Sequence, residues 1–452
     1  MPLWLQRTLA GSLILIMVLM PFHAFISTWG GTAIGPLWLW KSWKEILLGI
    51  LMILVIAWLS ANSHRWKSLA QDKLFWLIVA FVGALMLISV YFASVNGRDA
   101  TAAGFAMDTR YLLVFGIGYV LFRFGKFSWP NIRRNIALFL ITAGTIVAAI
   151  GLLQVWVLPA DFLVQFGYDK HLTIAPYVLI DENPDALRAF ATLRGPNDFG
   201  AFLILPLMLS VLFAHRNKWF ICSVVIILAG IFASGARSAW IGAIVSLAML
   251  AVLMFGGRVI RSRNVIGIAV TSVAAIVIVG LLAVNIPAVR LAVFHSSPGD
   301  SSLTEGSTDQ HWAATMNGVQ RVVDRPLGCG AGCAGPASYY SSQPHISENY
   351  YVQIAEEVGV IGLGLWIAII GIIARRLWQR REDWLACALL ASFAGLSVIG
   401  FWLHVWSDDP LSLTVWAVTG AILGYYARAY PNPLLLQKLK TLRAKSPKHE
   451  EV

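Results

Sequence analysis

The chain has 452 residues, 58% of them hydrophobic and only 13% charged, with a formal net charge of +11. That composition excludes an ordinary soluble domain, and its recurring apolar runs mark a polytopic membrane protein. Nucleic acid is not needed to explain the charge, because a cytoplasmic excess of Lys and Arg and a basic tail facing anionic headgroups account for it.

A helix needs about 20 mostly apolar residues to cross roughly 30 Å of hydrocarbon. About twelve runs qualify, near 8–27, 46–61, 74–95, 111–124, 135–157, 199–214, 219–233, 238–256, 265–285, 350–374, 384–402 and 411–427, the fourth and seventh being short. The fold class expected is all-α, an integral membrane protein with two long outer-face loops, 158–198 and 286–349. The first run lacks an obvious small-residue cleavage site and is expected to stay as an anchor. With a cytoplasmic N-terminus, 23 of the 34 basic residues fall in cytoplasmic segments, which places both termini inside. The chain then divides into N-terminal helices (1–134), a membrane domain that includes both loops (135–427) and a basic cytoplasmic tail (428–452).

In the first long loop, R-A-F-A-T-L-R-G-P-N-D-F-G sets Arg188 and Arg194 before a helix expected near Phe199, with Asn197 or Asp198 suited to cap it. Two guanidinium groups beside a helix N-terminus favour a diphosphate; the alternative is that they reach to lipid headgroups. S-G-A-R-S-A-W puts Arg237 in a turn for which Ser and Gly suffice, which makes it a ligand candidate. Trp312, Met316, Val319 and Val323 recur at helical spacing, as in a helix lying on the membrane or a soluble capping helix. Cys329 and Cys333 stand close enough to form a disulfide or to remain two thiols. No Cys/His spacing suggests a metal.

P-H-I-S-E-N-Y-Y offers His345 as first choice for a general base and Glu348 as second, the carboxylate needing a raised pKa. A helix starting before Pro344 would set the two one turn apart, the carboxylate orienting the imidazole. W-L-H-V-W-S-D-D-P adds His404, Asp408 and Asp409 to the same face. Nearly every charge falls in a loop; only Glu356 and Glu357 intrude, about two turns into their helix.

From about Ile136 to Gly424 the chain resembles the O-antigen ligase and polymerase superfamily of bacterial membrane glycosyltransferases. The resemblance rests on Arg188 with A-T-L-R-G-P-N-D, on S-G-A-R-S-A-W, on D-R-P-L-G-C-G-A-G (Asp324 to Gly332) and on E-N-Y-Y-V-Q-I-A-E-E-V-G-V-I-G-L. It implies transfer of a glycan from a polyprenyl diphosphate carrier to a sugar hydroxyl of a lipid or glycan acceptor, at the outer face of the bacterial plasma (inner) membrane. No cofactor, nucleotide sugar, metal or nucleic acid is implied; membrane lipids are. Arg188, Arg194 and Arg237 would face the diphosphate, His345 or Glu348 would take the proton, and Asn197, Asn349, His404 and Asp408 would support them. Two positions depart from the family pattern. Glu348 stands where ligases of the family have a His before the Asn, and T-D-Q-H precedes Trp312 where an Arg is often found. A lipid-linked oligosaccharide flippase or secondary transporter is the alternative, expected to hold ionisable groups near the midplane.

Overall fold

The computed structural model describes residues 3–180, 183–255 and 303–429, with 267, 270–274 and 278 between the last two stretches. The run near 265–285 falls largely outside the described residues, as do 286–302 and the tail from 430. Every other expected run is occupied by a helix.

In chain order the helices are α1 (Leu3–Leu19), α2 (His23–Ala33), α3 (Leu37–Ser60), the short α4 (Ser63–Ala70), α5 (Lys73–Asn96), α6 (Arg98–Phe124) and α7 (Trp129–Trp156). There follow α8 (Pro196–Phe202), α9 (Ile204–Phe213), α10 (Lys218–Ala233), α11 (Arg237–Phe255), α12 (Leu303–Asp324), α13 (Tyr350–Trp378), α14 (Trp384–Ile399) and α15 (Asp409–Ala429). Taking α1–α2 and α8–α9 each as one rod, nine helices among the described residues are long and apolar enough to cross a membrane, and α10 and α14 are shorter apolar helices. The molecule is an all-α multi-pass membrane protein.

Two helices begin earlier than apolarity alone marks. α6 starts at Arg98 rather than near 111, and α3 at Leu37 rather than near 46. Asp108, Arg110, Lys41, Lys44 and Glu45 therefore lie on membrane helices, contrary to the expectation that only Glu356 and Glu357 intrude. For Lys44, Glu45 and Arg110, cross-helix pairing is what lets them stay. Lys44 Nζ lies 3.1 Å from Glu45 Oε1 and 3.0 Å from Asp409 Oδ2, and Arg110 joins the same two carboxylates. A charge inside a bundle persists only with such a partner.

α6 and α15 form the tightest pair in the bundle because glycines bring their backbones together. A Cβ on Gly420 would stand 2.2 Å from Phe115 O, and one on Gly424 2.2 Å from Tyr119 O. Small residues at such a spacing are the usual device for close helix association in lipid. Among the described residues, ion pairs fall into two sets at opposite ends of the bundle. One end holds Asp72 with Arg123 and Arg376, and Arg133 with Asp383; the other holds the pairs of Asp409, Glu348 and Glu356. The positive-rich segments of the sequence meet at the first end, and both long loops emerge at the second.

The first loop carries a small antiparallel hairpin, β1 (Leu179–Ile180) with β2 (Asn183–Leu187), in which Leu179 faces Leu187. It delivers the chain to α8, whose N-cap is Gly195 with no side-chain bond and whose first residue is Pro196. Neither Asn197 nor Asp198 is the cap, because Pro starts the helix ahead of them.

Candidate functional site

Five segments distant in sequence meet at the end that bears both loops, and Arg188 knots two of them. Its backbone N–H donates to Val178 O at 2.9 Å, its Nε to Ser234 O at 2.8 Å and its Nη2 to Asn197 Oδ1 at 2.9 Å. Asn197, freed from capping, is thus the acceptor that fixes the arginine fork. The knot ties the A-T-L-R-G-P-N-D segment to the S-G-A-R-S-A-W turn, where α11 begins with Arg237.

The second loop ends at α13, which Asn349 caps. Its Oδ1 accepts from Tyr351 N at 3.0 Å and Val352 N at 3.1 Å, while its Nδ2 donates to Phe401 O at 3.1 Å. A strong cap here leaves His345 and Glu348 in the preceding loop rather than on a helix turn. Glu348 has φ +54°, a left-handed conformation that a non-glycine side chain adopts at a cost and that clusters at functional sites. The one-turn contact between His345 and Glu348 is accordingly not formed, and each finds another partner. Glu348 Oε2 lies 3.3 Å from His311 Nδ1 on α12. His345 Nε2 lies 3.0 Å from Glu356 Oε1, to which Arg321 Nε also approaches within 3.2 Å. Two carboxylate–imidazole pairs result.

α12 carries His311 and Arg321 on one side and Trp312, Met316, Val319 and Val323 on another. Trp312 is 65% exposed and Val323 67%, an apolar stripe of the kind that seats a helix at a membrane interface.

The D-R-P-L-G-C-G-A-G segment is explained by a break in α13. Gly359 has φ +76° and ψ 176°, so the helix opens there and releases the carbonyls of Glu356 and Glu357. Cys329 N donates to Glu356 O at 2.8 Å, Gly330 N to Glu357 O at 2.9 Å, and Val360 N to Pro326 O at 3.0 Å. Gly332 sits so close to α6 that a Cβ would stand 2.1 Å from Ala100 O, and its N–H donates to Glu357 Oε1 at 2.9 Å. Irregular backbone at this depth is tolerated because other protein groups satisfy it. Cys329 and Cys333 are joined as a disulfide across this buried loop, which resolves the choice left open by their spacing.

A cavity of about 170 Å³ lies between α8 and the segment before α15, with Arg194, Asn197, Asp198, His404, Ser407 and Asp408 in its wall. His404 Nδ1 and Gln353 Oε1 are 2.6 Å apart, and Gln353 Nε2 donates to Glu357 Oε2 at 3.3 Å. With Nδ1–H donating, Nε2 of His404 keeps its lone pair. Asp408 Oδ2 accepts from Leu411 N at 3.2 Å at the start of α15. Arg194 stands in the field of Asp198, Asp409 and Asp408, so much of its charge is already answered within the protein.

Protonation follows from these contacts. The hydrogen bond to Glu348 raises the His311 imidazole above its ordinary value, against desolvation and against the positive charge of Arg237. The same bond, against burial, holds the Glu348 carboxyl low. Burial pushes His404 down to about 4, so it is neutral at physiological pH. Burial, then the charges of Asp198 and Asp409, drive the Asp408 carboxyl well up.

Residues 222–367 match the O-antigen ligase family. The resemblance read from the sequence therefore holds over that segment, which includes Arg237, His311, Arg321, His345, Glu348 and Glu356. Arg188, Arg194 and His404 lie outside it. No curated protein matches the chain. The match supports an O-antigen ligase or polymerase type of membrane enzyme.

The structure brings Arg188 and Asn197 together, sets Arg194 and His404 on one cavity, and separates His345 from Glu348. Sequence reasoning missed His311, Arg321, Gln353 and Glu356 as partners. A signal for His311 was present: the two positions that depart from the family pattern, Glu348 and the T-D-Q-H before Trp312, are neighbours in space and make one pair.

Proposed function

We propose that this chain transfers a glycan from a polyprenyl diphosphate carrier to a sugar hydroxyl at the outer face of a bacterial inner membrane, with both termini cytoplasmic. The observation that carries the reading is the Glu348–His311 pair, 3.3 Å apart, within the electrostatic reach of Arg237 on the segment that matches the ligase family. Departure of a diphosphate builds negative charge, which a positioned guanidinium stabilises as it develops. The attacking hydroxyl must lose a proton, and an imidazole backed by a carboxylate is suited to take it, because the carboxylate stabilises the imidazolium formed. In this reading Glu348 keeps the family's place but works through His311. Arg237 faces the diphosphate, Arg188 holds Asn197 and the Ser234 turn in register, and Arg194 and His404 line the approach.

The test is a pH profile of transfer by purified protein with a polyprenyl diphosphate glycan and a matched acceptor. His311 works as a base only when deprotonated, so activity should rise with pH through a value above the ordinary imidazole range. Glu348→Gln removes the carboxylate that raises that value, so the limb should move to lower pH while turnover falls. Loss of turnover in His345→Ala, with Glu348→Gln and His311→Ala fully active, would move the base to the His345–Glu356 pair and reject this assignment.

One observation favours a transporter as second reading. Asp108 on α6 and Glu357 on α13 are both fully buried, and their carboxyls interact inside the bundle. Proton-coupled movement of a lipid-linked glycan in vesicles, abolished by Asp108→Asn, would favour it over transfer.

A further inference from the structure

At the end of α13 remote from Glu348, a second cavity of about 470 Å³ is lined by five basic side chains, Lys73, Arg123, Arg375, Arg376 and Arg380, and by one carboxylate, Asp72. That carboxylate is already engaged. Arg376 Nη1 donates to its Oδ2 at 3.1 Å and Arg376 Nη2 to its Oδ1 at 2.5 Å, Tyr119 OH donates to Oδ2, and Leu74 N donates to Oδ1 at 3.0 Å. Lys73 and Arg375 are exposed beside it. Lys73 and Arg375 thus bring to the cup positive charge that the engaged Asp72 does not answer.

An apolar cleft of about 440 Å³ adjoins the cup and shares Asp72 and Tyr119 with its wall. It runs between α3, α5 and α6, past residues such as Val55, Leu59, Phe75, Val82 and Leu112. Gly83 and Gly116 stand on it, and a Cβ at either would meet nothing within 4 Å. A cationic cup continuous with a hydrocarbon trough has the form of one amphipath. Basic pockets between membrane helices attract anionic headgroups, and guanidinium groups bind phosphate by paired N–H contacts.

We propose that an anionic phospholipid binds here, its phosphate at Lys73 and Arg375 and one acyl chain in the cleft between α3, α5 and α6. A free phosphate ion would have no use for the cleft. A zwitterionic lipid would bring an ammonium group toward a cup that repels it. The site lies a bundle's length from His311 and Glu348, and so does not rest on the reading of that site.

Native mass spectrometry of the full chain in detergent, offered phosphatidylglycerol or phosphatidylcholine with identical chains, tests it. Phosphatidylglycerol should be retained with a preference on the order of tenfold, and the double variant Lys73→Gln, Arg375→Gln should remove that preference. Gly116→Leu, which fills the cleft, should lower retention of phosphatidylglycerol while both variants elute from size exclusion as the parent does. Two readouts on the unaltered chain do not depend on how a variant folds: high salt should release phosphatidylglycerol, and millimolar inorganic phosphate should leave it bound. Equal retention of the two lipids, or displacement by phosphate alone, would overturn the proposal.

Discussion

The two ends of the bundle use charge differently. At the end that holds Asp72 and Asp383, the carboxylates are closed by partners: Asp72 by Arg376, Arg123 and Tyr119, and Asp383 by Arg133, Tyr426 and the Leu385 N–H. At the site end Asp409, Glu348 and Glu356 Oε1 have ion-pair partners, but other polar atoms are left over. Among the described residues, the buried Asp, Glu, Arg and His atoms with neither a hydrogen bond nor an ion pair are in that half, including Glu356 Oε2, His404 Nε2 and Asp408 Oδ1. A buried polar group without a partner costs stability, and a fold keeps such groups where a ligand or a reaction uses them. One end frames the bundle, then, and the other is left chemically unfinished.

The comparison predicts that substitutions at the two ends separate activity from stability. The largest effect should come from His311→Ala, which removes the proposed proton acceptor. Turnover should fall by about 10²- to 10³-fold, with the melting temperature close to the parent's because the His311 side chain is 46% exposed. A large drop in melting temperature in step with the lost activity would mean that His311 is part of the frame. Next in size is Asp72→Ala at the closed end. It strands Arg376 and Arg123 and should cost about 3 kcal/mol of stability, read as a lower melting temperature in detergent, while the turnover of the protein that stays folded remains near normal.

The frame was legible in the sequence because apolar length and the bias of Lys and Arg report directly on it. The early starts of α3 and α6 were hidden, since Lys44, Glu45 and Arg110 break the apolar pattern and only their meeting with Asp409, several hundred residues on, makes them tolerable. The site was half legible. Arg188, Asn197, His404 and Glu348 stood out by type and place, but their partners depend on backbone turns that no local pattern announces. Asn349 is expected from the sequence only as a supporting residue, and its role as the cap of α13 decides that His345 turns to Glu356 instead of Glu348. The opening at Gly359, which makes the Gly-rich loop fit, is likewise a long-range event.

Arg188→Lys sharpens the comparison within the site end, by asking whether a knot there acts as frame or as ligand. Lysine keeps the charge but cannot serve Ser234 O and Asn197 Oδ1 with a planar fork. If Arg188 holds the two segments in register, activity should fall by about tenfold for the lost hydrogen bond, and most of the loss should appear in kcat rather than in KM for the donor. A change confined to donor KM would make Arg188 a direct diphosphate ligand.

The smallest expected effect concerns pH and the neutral imidazole of His404. Its value is pushed from the ordinary 6.5 down to about 4 by burial, so the unfolded chain binds a proton at a higher pH than the folded one. Its contribution to stability is complete above 6.5 and is lost as the pH falls from there through about 4. His311 has the opposite sign: raised by Glu348, it contributes at low pH and loses that contribution as the pH rises through its raised value. Glu348, held low, contributes above the ordinary carboxylate value and loses that contribution as the pH falls from there through its depressed value. The difference between parent and His404→Gln therefore isolates the His404 term, since the other two groups are common to both chains. Melting temperatures taken from about pH 7.5 to about pH 4.5 should fall more steeply for the parent than for the variant. Parallel curves across that window would show that His404 takes up its proton in the folded protein at the ordinary imidazole value, and that the cavity wall it forms is not the dry surface its buried Nε2 implies.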